Sequence, residues 1–285
     1  MSAIKKSKAL VRGETEQGLR CGVNNMNNDI QKITPDATGV NNQKIWTLFD
    51  KDIFELFVKP GEIIEVRILN AKGKSPLWGN EYARGKGTIS GYFDSYEAFT
   101  GACKSINKAT YSGVYYTLQV IDPRLIGRAY NRLKPSDLTT SDRDVIAYRW
   151  LPIDADPNRP AGIASSDSEL QAAMGLIEEV AFWVVHNMNL PAPIKAMSGN
   201  GAHLLFRLPD LPADDLNKSF VQNTLNGIAD RFDNDMVSID RSVYNPGRIW
   251  KLYGTTARKG DPVPANQYRA PRSHRMSYIF DMGDC

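Results

Sequence analysis

Apolar and polar positions alternate along this chain with two different periods, and the changes of period mark out its elements. In residues 45–57, Trp46, Phe49, Ile53, Leu56 and Phe57 recur at helical spacing, and Pro60-Gly61 ends the helix they predict. A β-branched run broken by charges, residues 63–69, then predicts a strand. A Gly- and Lys-rich stretch over 71–87 reads as a loop. Residues 88–93 read as a second strand, followed by an Asp94-capped helix to about Asn107, and residues 113–121 as a third strand. Arg124, Arg128, Arg132 and Lys134 follow at helical spacing, and Thr139-Thr140-Ser141-Asp142 supplies a turn.

The second half carries stronger signals. Tyr148-Arg149-Trp150-Leu151-Pro152-Ile153-Asp154-Ala155-Asp156-Pro157 is an apolar strand ending in two aspartates. Ser166-Asp167-Ser168-Glu169 matches a capping box, and Leu170, Met174, Ile177, Ala181, Val184 and Met188 form the apolar face of the helix behind it. Residues 190–193, Leu-Pro-Ala-Pro, stop that helix. Residues 194–197 and 202–208 are strands joined by Ser198-Gly199-Asn200-Gly201, whose Asn-Gly step is a hairpin signal. A helix over about 213–232, a short strand over 236–240 and a strand flanked by Gly turns within 241–260 complete the order. The pattern is α/β in the α+β sense, a mixed fold and not a regular doubly wound repeat.

Composition bounds the setting. At 285 residues, 42% hydrophobic and 24% charged, the chain can bury a substantial core. No apolar run approaches about 20 residues and no hydrophobic segment follows the N-terminal lysines, so neither a membrane span nor a signal peptide is expected. Cys21, Cys103 and Cys285 fit no disulfide framework and no zinc pair, which points to a cytoplasmic home. A net charge of +3 permits a local basic groove without requiring one. Residues 1–44, polar and Asn-rich, read as a flexible arm, and residues 45–285 as one ordered domain. The apolar Tyr278-Ile279-Phe280 close to the end suggests the N-terminal module of a longer protein.

Candidate chemistry gathers at three places. On a strand Asp154 and Asp156 share one face, so two carboxylates meet in one patch and call for a divalent cation, unless both are simply solvated at an Asp-Pro turn. Asp240 ends a separate apolar strand and could supply a third carboxylate. In the hairpin, the glycines let backbone N–H groups approach an anion, and His203 shares a strand face with Leu205 and Arg207; a packed or surface histidine is the plainer alternative. Arg248, Lys251 and Lys259 follow Asp240, with chemistry suited to phosphate oxygens. In a fully extended strand Arg248 and Lys251 would face opposite ways, which requires Arg248 to act from the loop. His186, near a helix C-terminus, reads as a surface or structural residue.

Taken in order, apolar-Asp-x-Asp, then small-x-His in a glycine hairpin, then apolar-Asp followed by Arg and Lys, the chain resembles the archaeo-eukaryotic primase superfamily. It looks like a primase-polymerase of the kind found in phages, mobile elements and CRISPR-associated loci. Residues 65–69, 91–94, 113–118, Tyr253-Gly254-Thr255, Lys259-Gly260 and Ser273-His274-Arg275 extend the likeness over roughly 55–280. Gln119 and Ser273 stand where asparagine and proline are expected.

The resemblance implies a small N-terminal α/β half packed on an RRM-like half, with the active cleft between their sheets. It implies a template-dependent DNA primase or polymerase joining nucleoside triphosphates to a 3′-hydroxyl with two Mg²⁺ or Mn²⁺ ions. Asp154, Asp156 and Asp240 would hold the metal, and Ser198, Gly199, Asn200, His203, Arg248, Lys251 and Lys259 would bind the nucleotide. Partners would be a single-stranded DNA template, a primer or initiating nucleotide and a dNTP or NTP, with a helicase or accessory helical domain possible and no membrane. The template groove is expected along residues 71–87, where Trp78 and Tyr82 accompany Lys72, Lys74, Arg84 and Lys86, and along the Arg124, Arg128 and Arg132 face. The rival readings are a metal-dependent nuclease or replication-initiation nickase, an inactive nucleic-acid-binding module, and a D-x-D glycosyltransferase.

Overall fold

The computed structural model describes residues 44–79, 83–267 and 269–285. The expected N-terminal arm lies outside the described residues, apart from its last position. In chain order the elements are α1 (Lys51–Phe57), β1 (Ile64–Gly73), β2 (Ala83–Phe93), α2 (Tyr96–Cys103), β3 (Gly113–Thr117), β4 (Val120–Ile121) and β5 (Lys134–Pro135). There follow β6 (Val145–Pro157), α3 (Asp167–Met188), β7 (Ile194–Met197), β8 (Ala202–Pro212), α4 (Asp215–Phe232) and β9 (Val237–Ile239). The last are β10 (Ile249–Lys251), β11 (Thr256–Ala257), β12 (Arg275–Met276) and β13 (Tyr278–Asp281). Gln43–Cys285 forms one compact unit.

This is a mixed α/β protein built on two antiparallel sheets. The first has the order β10-β3-β1-β2-β5 and the second β13-β7-β8-β6-β4, with β9 paired to β6 beyond β4. Within the second sheet the segment β6-α3-β7-β8-α4-β9 places its strands in the spatial order β9-β6-β8-β7, the split βαβ arrangement. One excursion joins the halves: β10 leaves the second half and adds to β3 of the first sheet, Trp250 opposite Tyr116.

β6 carries the architecture because its two faces do different work. Leu151, Ile153 and Ala155 are buried on the face covered by α3. α3 forms as its capping box requires: Ser166 Oγ accepts the Glu169 N–H, and Glu169 accepts the Ser166 N–H at 2.8 Å. Its buried face adds Ala173, Leu176 and Val180 to the expected Leu170, Ile177, Ala181 and Val184. Each large apolar side chain there contributes roughly 1.5–3 kcal/mol. On the other face Trp150 meets Phe57 of α1 at 5.1 Å between ring centroids, and Phe57 also reaches Tyr116 of β3. That face begins as apolar packing and ends in Asp154 and Asp156.

Some expected boundaries move. The helix expected from residue 46 starts at Lys51. The cap of α2 is Ser95, whose hydroxyl accepts the Ala98 N–H, while Asp94 accepts from Asn131. The stretch over 113–121 is two strands in different sheets, because the chain crosses between them at Leu118-Gln119. Buried Gln119 secures the crossing: its amide donates to the Trp150 carbonyl at 2.8 Å and accepts the Arg149 N–H at 2.7 Å. Residues 71–73 and 83–87 of the expected loop continue the β1–β2 hairpin, irregular in register after Ile68. Among the described residues no helix is long and apolar enough to cross a membrane.

Candidate active site

Strand register gathers the key side chains. Antiparallel pairing sets Asp154 opposite His203, and His203 opposite Ala196. Along the other edge of β6, Ala155 pairs with Ile239 and the Asp240 N–H donates to the Asp154 carbonyl at 2.9 Å. Asp240, Asp154 and His203 therefore form one row across adjacent chain segments, and Asp156 lies on the Asp154 face of β6, opposite Ser238.

Asp154 and His203 of this row open into a cavity of about 290 Å³ lined from both sheets. Asp154, Asp156 and His203 face it from the second sheet, and Tyr115 of β3 and Lys251 of β10 from the first. Arg159, Arg248 and Lys259 bring further positive charge from the connecting segments. Arg248 precedes β10 and so acts from the loop, as strand alternation requires if it is to share the cavity with Lys251.

The charges perturb one another. The Asp154 charge, with burial second, pushes Asp156 up to about 6. Burial also pushes Asp154 upward, but His203, Lys259 and Arg248 outweigh it and hold that carboxyl below its usual range. Burial, helped by Arg258, lowers Lys251 to about 7; its ammonium donates to the Thr256 carbonyl at 3.2 Å and lies 5.7 Å from the Tyr115 ring centroid. Burial and the nearby Asp154 raise the Tyr115 hydroxyl.

Asp156→Asn is expected to stabilise the protein by about 1 kcal/mol in the absence of divalent ions. A shift from the ordinary carboxylate range to about 6 corresponds to more than this, but the Asp156 side chain is 39% exposed and solvent screens the repulsion. The sign follows from the raised folded-state value: the folded protein binds a proton more tightly, so stability rises as pH falls from 7 towards 5. Thermal melts across that range should show the rise in the wild type and a flatter profile in Asp156→Asn.

The hairpin side chains serve structure as much as the cavity. Ser198 N–H donates to the Gly201 carbonyl at 2.9 Å, Gly201 N–H donates to Ser198 Oγ at 3.0 Å, and Gly199 N–H meets the Met197 sulfur at 2.8 Å. These three amides are engaged within the hairpin, so it is not the open anion nest that its glycines suggest. Gly199, not the Asn-Gly step, takes the left-handed backbone, with φ +111°. The glycines meet a need for close approach: a Cβ at Gly201 would lie 2.3 Å from the Ala155 carbonyl oxygen, and one at Gly199 2.3 Å from Ala257 Cβ. Asn200 accepts the Ser165 N–H at 3.0 Å and donates to the Lys259 carbonyl at 3.0 Å, fixing the Lys259 segment beside the carboxylates.

Asp240 stands next to Asp154 through its backbone, but its carboxylate points to other partners. One oxygen accepts from the Ser242 N–H and hydroxyl at 2.8 and 2.6 Å, and the other from Arg248 at 2.8 Å. Among the described residues no three His, Cys, Asp or Glu side chains converge on a point suited to a metal ion. The Asp154–Asp156 pair nevertheless has the chemistry of a cation site, two same-face carboxylates whose mutual repulsion a divalent ion would relieve.

Several contributors escape a linear reading. Arg159 follows the aspartates by three residues and its guanidinium lies 3.7 Å from Asp156. Tyr115, Trp250 and Tyr253 reach the site only through sheet pairing and packing around His203. The expected template surfaces change more. Trp78 is buried and donates its indole N–H to the Gly73 carbonyl, so it offers no stacking face. Tyr82 and the side chains of Arg84 and Lys86 lie outside the described residues. Arg124 pairs with Asp122, and Arg128 with Asp144, which removes much of that face's free charge. His186 is a surface residue, its ring on Phe182 and its Nδ1 2.7 Å from the Phe182 carbonyl oxygen.

Compared with models of known protein families and with curated proteins, the chain matches none.

Proposed function

We propose that the chain is a template-dependent nucleotidyltransferase, a primase-polymerase that adds nucleotides to a 3′-hydroxyl. The observation that carries this reading is that Asp154, Asp156 and His203 line one cavity between two sheets together with Arg159, Arg248, Lys251 and Lys259, with Asp240 joined to Asp154 through its backbone. Carboxylates and cations lining the same cavity suit a metal-bound triphosphate, whose own charge would satisfy both. The βαββαβ segment agrees with the RRM-like half that the sequence resemblance implies, and the first sheet with the smaller N-terminal half.

Asp154 and Asp156, with Asp240 if it exchanges its partners, are the residues offered to Mg²⁺ or Mn²⁺. Bound ions would lower the pKa of the attacking hydroxyl and neutralise the triphosphate. The chain's own groups account for the remaining interactions. Arg248, Lys259 and Arg159 supply fixed positive charge for phosphate oxygens, and the lowered amine of Lys251 gains a proton more readily once an anion lies beside it. His203 offers a ring nitrogen to the cavity, and Ser198 and Asn200 line its edge.

His203→Ala is expected to weaken binding of a nucleoside triphosphate about tenfold while leaving single-strand binding within about twofold, the loss of one charge-assisted hydrogen bond. Equilibrium binding of a non-hydrolysable triphosphate, run beside anisotropy of a labelled oligonucleotide, measures both. Equal losses would move His203 away from the triphosphate. Binding of the oligonucleotide without any nucleotide binding in the wild type would favour a passive nucleic-acid-binding module.

A further inference from the structure

His203 is held from behind by a hydrogen-bond chain. Its Nδ1 lies 2.9 Å from the Tyr253 hydroxyl, and the Trp250 indole N–H lies 2.8 Å from that same oxygen. Its Nε2 lies 3.4 Å from Asp154 Oδ1 on the cavity side. All three rings are buried, and the imidazole lies against Trp250 with centroids 4.2 Å apart.

Donor and acceptor chemistry fixes the direction of this chain. Indole N–H can only donate, so one lone pair of the Tyr253 oxygen is taken. If His203 carried its proton on Nδ1, Tyr253 would have to accept twice. Its own O–H would then need another acceptor in a side chain with no solvent exposure, and a bare Nε2 lone pair would face the Asp154 carboxylate. With the proton on Nε2, the buried groups behind the ring are satisfied: Trp250 donates to Tyr253, Tyr253 donates to His203 Nδ1, and the Nε2–H is left on the cavity side, 3.4 Å from Asp154 Oδ1.

We infer that Tyr253 is a positioning residue that locks His203 in the Nε2–H tautomer, so that the imidazole presents an N–H donor to an anionic ligand in the cavity. This assignment rests on the nucleotidyltransferase reading for the identity of that ligand, a phosphate oxygen, but not for the tautomer itself. Trp250 donates to the Tyr253 oxygen and covers one face of the imidazole. Neither Tyr253 nor Trp250 needs to touch a substrate.

The test is long-range ¹H–¹⁵N correlation on the full chain with ¹⁵N-labelled histidine, above the usual imidazole titration range, with His203 assigned by its loss in His203→Gln. The wild type should give the Nε2–H pattern. Tyr253→Phe, which removes one oxygen, should shift the Nδ1 and Nε2 resonances towards the average of two tautomers, whereas Trp250→Phe should keep the wild-type pattern because Tyr253 can still donate. An Nδ1–H pattern in the wild type would overturn the inference, whatever the variants do. So would an unchanged pattern in folded Tyr253→Phe. Neither outcome depends on catalysis, so a protein with no polymerase activity but with the expected tautomer shift would refute the functional reading and leave this assignment standing.

Discussion

Asp154→Ala should lower nucleotide incorporation by about 10³-fold or more while leaving the protein folded. Asp154 lies at the centre of the site: it pairs with His203, adjoins Asp240 through the backbone and imposes the charge that raises Asp156. In the proposed reaction it would be the carboxylate most directly committed to a divalent ion, an interaction of several kcal/mol in the transition state, and about 4 kcal/mol corresponds to 10³ in rate. Its loss removes the main repulsion on Asp156 but also the attraction of Asp154 for His203, Lys259 and Arg248, so the melting temperature without divalent ions should change little. Addition of Mn²⁺ should raise the melting temperature of the wild type and not that of Asp154→Ala. Steady-state incorporation and paired melts check both halves of this expectation.

Arg149→Met should destabilise the protein by about 3 kcal/mol, a large share of the total for a domain of this size. The Arg149 side chain is 2% exposed and holds two carboxylates at once: Glu62, at 2.6 and 2.5 Å, and Asp210, at 2.9 and 2.6 Å. Glu62 lies just before β1 of the first sheet and Asp210 in β8 of the second, so the guanidinium ties the two halves together. Methionine fills similar space but leaves both carboxylates unpartnered by Arg149. Because Asp210 is about a third exposed, the expected cost lies at the lower end for a broken buried pair. The melting temperature should fall by roughly 6–12 °C, with little dependence on salt. Arg124→Ala, at an exposed ion pair with Asp122, should leave it unchanged.

What the sequence could reveal depended on how local each cause was. The α3 capping box, the same-face spacing of Asp154 and Asp156, and the face shared by His203, Leu205 and Arg207 follow from short-range periodicity, and the structure has all of them. Residues 71–87 look like a loop because Gly and Lys carry little strand preference, yet pairing with the opposite strand extends β1 and β2 into that stretch. The run over 113–121 looks like one strand because nothing local distinguishes Thr117 from Val120; only the crossing at Gln119 separates them. Arg159 has no motif of its own, and the segments that hold Tyr115 and Tyr253 extend the resemblance without marking either as a site residue. Their roles come from tertiary approach, as does the Asp240–Arg248 pair, which spacing after an apolar strand cannot foretell.

A labelled primer on a single-stranded DNA template, supplied with Mg²⁺ or Mn²⁺ and each nucleotide type, reports nucleotidyl transfer through the length of the labelled strand. The wild type should extend the primer in a template-directed order, and only when the divalent ion is present. Shortening of the labelled strand, with no nucleotide added under any condition, would contradict nucleotidyl transfer in favour of a nuclease built on the same carboxylates.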